Sequence, residues 1–394
     1  MTELLRKQWL HTLENAVNPS DLALLDKASR ILTQNIVPAD EKPLWAPYRG
    51  ICPSPYNFPG IWNWDSAFHA VGTARFDRGL AQEQAYAFFS FQKENGMLPD
   101  VIFSPKRDNR IEDHFGKPPV WAWAVERMDR EYADSVFLRN MYPKLVLNEK
   151  FWRTERFNEE DGLFFYSTSE TGPKRDLFIR WESGLDNSIR FDDGVIEYLY
   201  PIDLNCFIGS FYQSMQYLAI RMGKADEAQA YAEKEAALTQ KIQERLWSEE
   251  DQCFWDYNFR DKEFVRVLTP AAFMPLWVHI ATPAQAAALN ALAADKTKLY
   301  PCMPTVSLDN PKIEPAKGYW RGPVWMNVAY FAIKGLYDYG FRSTSMGIRD
   351  TLLSWMKKDD SIHENYNPLT GEPLNTKDFG WSCTFAMEMV LEMR

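Results

Sequence analysis

The sequence predicts an all-α fold in which helical hairpins close into a double ring, and three features carry that expectation. Apolar residues recur at helical spacing from one end of the chain to the other, and no convincing alternating strand interrupts them. Two long periodic segments, 203–222 and 226–247, are joined by about three residues and must therefore lie antiparallel. The run from Val324 to Tyr339 is apolar on most faces, as expected of a helix packed on both sides.

Taken in order, residues 20–34 set Leu22, Leu24, Leu25, Ala28, Ile31 and Leu32 at helical spacing, with Ser20 or Asp21 as the cap. In 203–222 the positions Leu204, Phe207, Ile208, Phe211, Met215, Leu218 and Met222 form a broad buried face, and Gly223 stands where a C′ glycine ends a helix. Asp226 opens the partner helix, in which Leu238, Ile242 and Leu246 repeat every four residues. Thr282-Pro283-Ala284-Gln285 reads as a capping box with Pro at the first helical position, leading a helix to about Ala294. The same grammar starts another helix at Pro323, and 344–358 with 381–394 supply a further pair. The irregular stretches 101–118, 154–203, 251–270 and 295–322 are read as functional loops, rich in Gly, Pro, Trp and charge. No linker-like tract divides the 394 residues, so residues 1–394 are expected to form a single domain with loop insertions around 101–118, 154–203 and 295–322.

A hydrophobic fraction of 46% with 25% charged residues is that of an ordinary globular protein and excludes disordered or collagen-like readings. The net charge of −10 speaks against nucleic acid as a partner. Charges at Glu3, Arg6 and Lys7 and the lack of an 18-residue apolar run predict a cytoplasmic protein with no membrane partner. Five scattered cysteines form no C-x-x-C pair, and five histidines no H-E-x-x-H pattern, so neither a metal nor another cofactor is expected. What stands out is an aromatic excess of 15 Trp, 18 Tyr and 25 Phe, much of it beside polar residues in the loops.

Three loop constellations carry chemistry. In Phe58-Pro59-Gly60-Ile61-Trp62-Asn63-Trp64-Asp65 two indoles and a carboxylate sit together, which suits the apolar face and hydroxyl rim of a hexose; the alternative is that the indoles are core and Asp65 an N-cap. Arg180-Trp181-Glu182-Ser183-Gly184-Leu185-Asp186-Asn187-Ser188-Ile189-Arg190 is the densest polar cluster, and spacing alone does not choose between Glu182 and Asp186 as a general acid. Nearly 180 residues later, Glu364 leads the turn-rich stretch Asn365 to Gly371 and could activate a water. Glycoside hydrolysis needs this division, one carboxyl protonated and one ionised, on opposite faces of the bond. Gly318-Tyr319-Trp320-Arg321-Gly322-Pro323 and Phe379-Gly380-Trp381 each precede a helix; Arg321 offers a donor fork or a structural ion pair.

At these motifs the chain resembles glycoside hydrolase family 63, particularly the short bacterial members related to mannosylglycerate and glucosylglycerate hydrolases. The resemblance runs through residues 62–70, 182–190, 318–323, 364–371 and 379–382, covering roughly 56–385. It implies an (α/α)6 barrel, hydrolysis of a small α-glucoside or α-mannoside with inversion, Asp186 as acid and Glu364 as base. It further implies that Trp62, Trp64, Asp65, Trp181, Gly184, Trp320, Arg321 and Trp381 line the cleaved-sugar subsite and that Arg190 reaches toward the leaving group. Phe58 stands where a Tyr is expected, and Lys117 where a Gln is commoner before Pro118-Pro119. A lysine there suits an anionic aglycone such as glycerate, though a surface lysine is the plainer reading. Two other functions share such a barrel: a sugar isomerase or epimerase, which wants positioned histidines, and a non-catalytic carbohydrate-binding protein.

Overall fold

A computed structural model describes residues 1–394. A helix α1 (Thr2–Leu13) precedes two concentric rings built from α2 (Pro19–Gln34) and α3 (Asn63–Ala74), then α4 (Arg78–Phe89) and α5 (Trp121–Glu131). The next hairpin joins α6 (Ser135–Glu155) to α8 (Ile202–Arg221) through an insertion that holds α7 (Arg175–Ser183). It is followed by α9 (Ala225–Arg245) and the short α10 (Met274–Trp277), α11 (Pro283–Ala294) and α12 (Met326–Asp338), and α13 (Arg342–Met356) and α14 (Gly380–Glu392). Contacts run α3 to α5, α8, α10, α12, α14 and back to α3, closing an inner ring of six helices; α2, α4, α6, α9 and α13 pack on that ring, and α11 packs on α13. This is the (α/α)6 barrel.

Burial follows the ring. All of α3 is buried, whereas outer α9 buries only the stripe Ala228, Tyr231, Leu238 and Ile242. Apolar character on every face belongs to a helix with neighbours on every side, and amphipathic character to one with solvent behind it. A contiguous core of 109 buried residues runs through both rings, so tertiary burial, more than local propensity, holds the helices. No helix is long and apolar enough to cross a membrane.

Helix starts agree with the sequence in some places and differ in others. The capping box is formed: Gln285 N–H donates to Thr282 Oγ1 at 3.2 Å and Thr282 N–H to Gln285 Oε1 at 2.8 Å. Gly223, with φ +72°, follows α8 as its C′ residue. At α2 the cap is Asn18, ahead of the expected Ser20 or Asp21, its Oδ1 accepting from Asp21 N–H at 2.9 Å. α12 begins at Met326 and not at Pro323, because Val324 exchanges both backbone hydrogen bonds with Tyr366, at 2.8 and 3.1 Å, and is thereby held extended.

The expected loops contain more structure than their composition suggests. Strand Val101–Phe103 pairs with Gly60–Trp62 and with Ile111–Glu112, and His363–Tyr366 pairs with Pro373–Lys377, all antiparallel. These strands brace the loops that open at the N-terminal ends of the inner helices. Segment 154–203 contains α7, which the sequence reading leaves irregular; its left-handed terminus at Gly184 aims the chain into the barrel mouth.

Candidate active site

Trp64 and Asp65 in the first turn of α3, Trp381 in the first turn of α14, and Trp320 and Trp325 just before α12 gather at one mouth of the barrel. The Trp381 ring meets Trp64 edge-on at 5.2 Å, Trp64 lies 6.4 Å from Trp320, and Trp320 stacks flat on Trp325 at 3.9 Å. Phe58 and Trp62 extend this wall: Phe58 is edge-on to Trp62 at 5.4 Å and to Phe379 at 5.7 Å, and Phe58 and Trp62 are both half-buried at the rim. Trp181 lies apart from it. Its ring packs with Phe115 at 5.9 Å and Phe178 at 5.4 Å. Below the wall, a narrow hollow of about 20 Å³ reaches down between α8, α10 and α12, lined by Trp64, Leu185, Asp203, Phe207, Met274 and Trp320. Asp186 and Glu364 are not among its lining residues.

The chain turns sharply to deliver Asp186. Gly184 has φ +74°, and a Cβ there would come 2.5 Å from Trp64 Cη2, so only glycine allows both the left-handed turn and the close approach to the indole. The loop is then tethered by Asn187, whose Oδ1 accepts from Trp320 N–H at 3.0 Å and whose Nδ2 donates to Gly318 O at 3.0 Å. The Asp186 carboxyl itself takes no side-chain partner. Glu182 is its opposite: fully buried, it accepts from Arg156 Nε at 3.0 Å, Ser167 N–H at 2.6 Å and Gly116 N–H at 3.3 Å. Glu182 is thus a saturated structural carboxylate, and of the two acids open on spacing alone only Asp186 is free for chemistry.

Glu364 comes from the strand His363–Tyr366. Its Oε1 accepts from the Tyr319 hydroxyl at 3.2 Å and its Oε2 from Thr376 N–H at 3.3 Å. Tyr319 holds φ +57°, a left-handed backbone uncommon for an aromatic residue. Its own hydroxyl is pushed well above the ordinary tyrosine range, first by burial and then by Glu364, to which it donates, with the charges of Asp186 and Asp65 acting in the same direction. Burial lifts Asp186 to about 6, with the Lys117 ammonium pulling it back down. Burial lifts Glu364 to about 7, with the Thr376 and Tyr319 donors opposing and Asp186 adding to the rise. Asp65 is held well above the usual carboxylate range by burial, Lys117 opposing. With Glu364 above Asp186, burial does not by itself divide acid from base between them.

Two arginines depart from the sequence expectation. Arg190 borders the hollow, but its guanidinium is taken up by two carboxylates. Buried, it donates from Nε and one terminal nitrogen to Asp256, both at 2.7 Å, and from both terminal nitrogens to Asp203 at 3.1 and 2.9 Å. Two buried carboxylates on elements distant in sequence claim its fork, which no local pattern announces. Arg321 is likewise not a donor to the sugar subsite: it pairs with Asp192 at 2.7 and 3.2 Å and with Glu314 at 3.2 Å. Lys117 corrects the plainer surface reading. It is buried, donates to the Trp181 carbonyl and stands 3.2 Å from Asp100 Oδ1.

Asp100 and Tyr319 are site residues the sequence reading missed. Tyr319 lies inside the 318–323 motif and could have been picked from it; Asp100, after Leu98-Pro99, has no local signal. The histidines do not assemble a base pair: His69 is sealed in the core with neither ring nitrogen bonded, its charge disfavoured by burial.

Known glycoside hydrolases are similar to this chain. Residues 58–382 match the mannosylglycerate hydrolase MGH1-like glycoside hydrolase domain. A mannosylglycerate hydrolase from Rubrobacter radiotolerans is 23% identical over 86% of this chain and 92% of its own length. One from Thermus thermophilus is 26% identical over 84% and 94%. Among solved structures, a family 63 mannosylglycerate hydrolase from Thermus thermophilus, in complex with Tris and D-glycerate, superposes with a TM-score of 0.79 at 22% identity, covering 92% of this chain and 99% of that one.

Proposed function

The chain belongs to the MGH1-like glycoside hydrolases of family 63, and from that premise we propose that it hydrolyses a small α-mannoside or α-glucoside, with glycerate as the leading aglycone, by inversion. Asp186, protonated, gives its proton to the glycosidic oxygen as the C–O bond breaks. Glu364, ionised, takes a proton from a water that attacks the anomeric carbon from the opposite face. The single observation that carries this reading is the contrast between two carboxyls from remote loops whose charges act on one another: Glu364 is oriented by the Tyr319 hydroxyl and Thr376 N–H, and Asp186 has no side-chain partner. Donors to Glu364 favour its charged form, the form a base needs. Trp62, Trp64 and Trp381 supply indole faces for the cleaved sugar and Asp65 an acceptor for its hydroxyls. The relatives named as mannosylglycerate hydrolases support the choice of aglycone, and the buried Lys117 ammonium acting on Asp186 is compatible with an anion.

We read residues 1–394 as one catalytic domain, supported by the contiguous core, and retain a cytoplasmic location, supported by five buried free thiols. Asp186→Asn and Glu364→Gln are each expected to lower kcat on α-mannosylglycerate by about 10³-fold or more while leaving the far-UV circular dichroism unchanged. Turnover within about tenfold of the parent enzyme in either variant would remove that residue from the mechanism.

A further inference from the structure

The mouth carries three buried carboxyls, Asp65, Asp100 and Glu364, the half-buried Asp186, and one buried ammonium, Lys117. Arg190 and Arg321 contribute no free charge there, since each is held by two carboxylates of its own. Lys117 spans two structural units. Its Nζ donates to the carbonyl of Trp181 in the last turn of α7, three residues before the turn at Gly184 that aims Asp186, and it forms an ion pair with Asp100 Oδ1 at 3.2 Å. Asp100 is fixed in turn by its backbone: its carbonyl accepts from Asn63 N–H at 2.9 Å at the start of α3, and its N–H donates to Glu112 O at 3.0 Å.

Resting on the assignment of Asp186 as acid, we infer that Asp100 and Lys117 are a positioning pair that locks the acid loop to the base of α3 and sets the charge against which Asp186 holds its proton. The two members act on Asp186 with opposite sign. Lys117 favours the ionised carboxylate; Asp186 opposes ionisation of Asp100, which burial has already lifted to about 6, and because charge repulsion is mutual the Asp100 carboxylate opposes ionisation of Asp186. The remaining groups around Asp186 are Glu364 on its strand, Tyr319 before α12 and Asp65 on α3, with Glu112 behind Asp100. None of these is a second cation, so loss of Lys117 is not compensated.

The optimum of a bell-shaped kcat/KM profile lies midway between its two pKa values whichever carboxyl owns each, so it reports a change at Asp186 without an assignment. Lys117→Met is expected to move the optimum up by about half a pH unit, and Asp100→Asn to move it down by a similar amount. Lys117→Gln, which keeps a donor for the Trp181 carbonyl but no charge, is expected to recover most of the kcat lost in Lys117→Met while keeping the raised optimum. Opposite shifts with this rescue support the pair. Shifts in the same direction, or none, in folded Lys117→Gln and Asp100→Asn overturn it. Should Lys117→Met fail to fold, those two variants decide the matter alone. Failure of the underlying assignment reads differently, as full turnover in Asp186→Asn.

Discussion

Replacing Gly184 by alanine perturbs the turn that aims Asp186 in two separable ways. The residue has φ +74°, and an L side chain in the left-handed region costs roughly 1–2 kcal/mol. The added Cβ would also lie 2.5 Å from Trp64 Cη2 and 2.6 Å from Cζ2. Trp64 has no room to yield, being only 3% exposed and wedged edge-on against Trp381 at 5.2 Å, so overpacking adds roughly another 1–3 kcal/mol. Gly223→Ala isolates the first contribution: φ is +72° there, and nothing lies within 4 Å of the added methyl. Urea denaturation is expected to show about 1–2 kcal/mol lost in Gly223→Ala and about 2–5 kcal/mol in Gly184→Ala. Only Gly184→Ala is expected to lose activity, with kcat/KM falling by about 10²-fold because the acid and the indole are displaced together. Equal destabilisation of the two variants, or full activity in Gly184→Ala, would refute the close-approach argument.

Arg190→Met leaves Asp203 and Asp256 buried without their cation, and denaturation is expected to show a loss of about 3–5 kcal/mol. A variant of normal stability that loses substrate affinity would return Arg190 to the leaving-group role expected from the sequence. Glu364→Gln tests the charge cost of the site. An acid whose folded value is raised from 4.5 to about 7 contributes stability that is fully present below pH 4.5 and lost as pH rises through 7. At pH 8 the variant is therefore expected to be more stable than the parent by up to about 3 kcal/mol, with the gain vanishing near pH 4. A stability difference that does not change between pH 4 and 8 would contradict this.

What could be read from the sequence divides by range. The α8–α9 hairpin and the 282–285 capping box were legible because each is written in a few adjacent residues: two long periodicities with a glycine between them, and a reciprocal Thr–Gln exchange. Glu364, Asp186 and the indoles were legible as motif residues, and the structure gathers Trp64, Trp320 and Trp381 at one mouth, with Glu364 held by Tyr319 next to Trp320. The fates of Arg190, Arg321 and Lys117 were not legible, because a cation's role is set by whichever carboxylates the fold brings to it. Asp203 and Asp256 meet Arg190 only after α8 and the strand Asp256–Asn258 are in place. α7 was missed because nine residues give too few turns for periodicity to show, and the strands because they are two to five residues long.

The central claim is that Asp186 and Glu364 act on opposite faces of an α-glycosidic bond, one as proton donor and one through water. The most direct measurement is proton NMR of the first-formed sugar during hydrolysis of α-mannosylglycerate, recorded before mutarotation. The β-anomer appearing first is the predicted result; the α-anomer appearing first would mean a covalent intermediate and two carboxyls too close to admit the water.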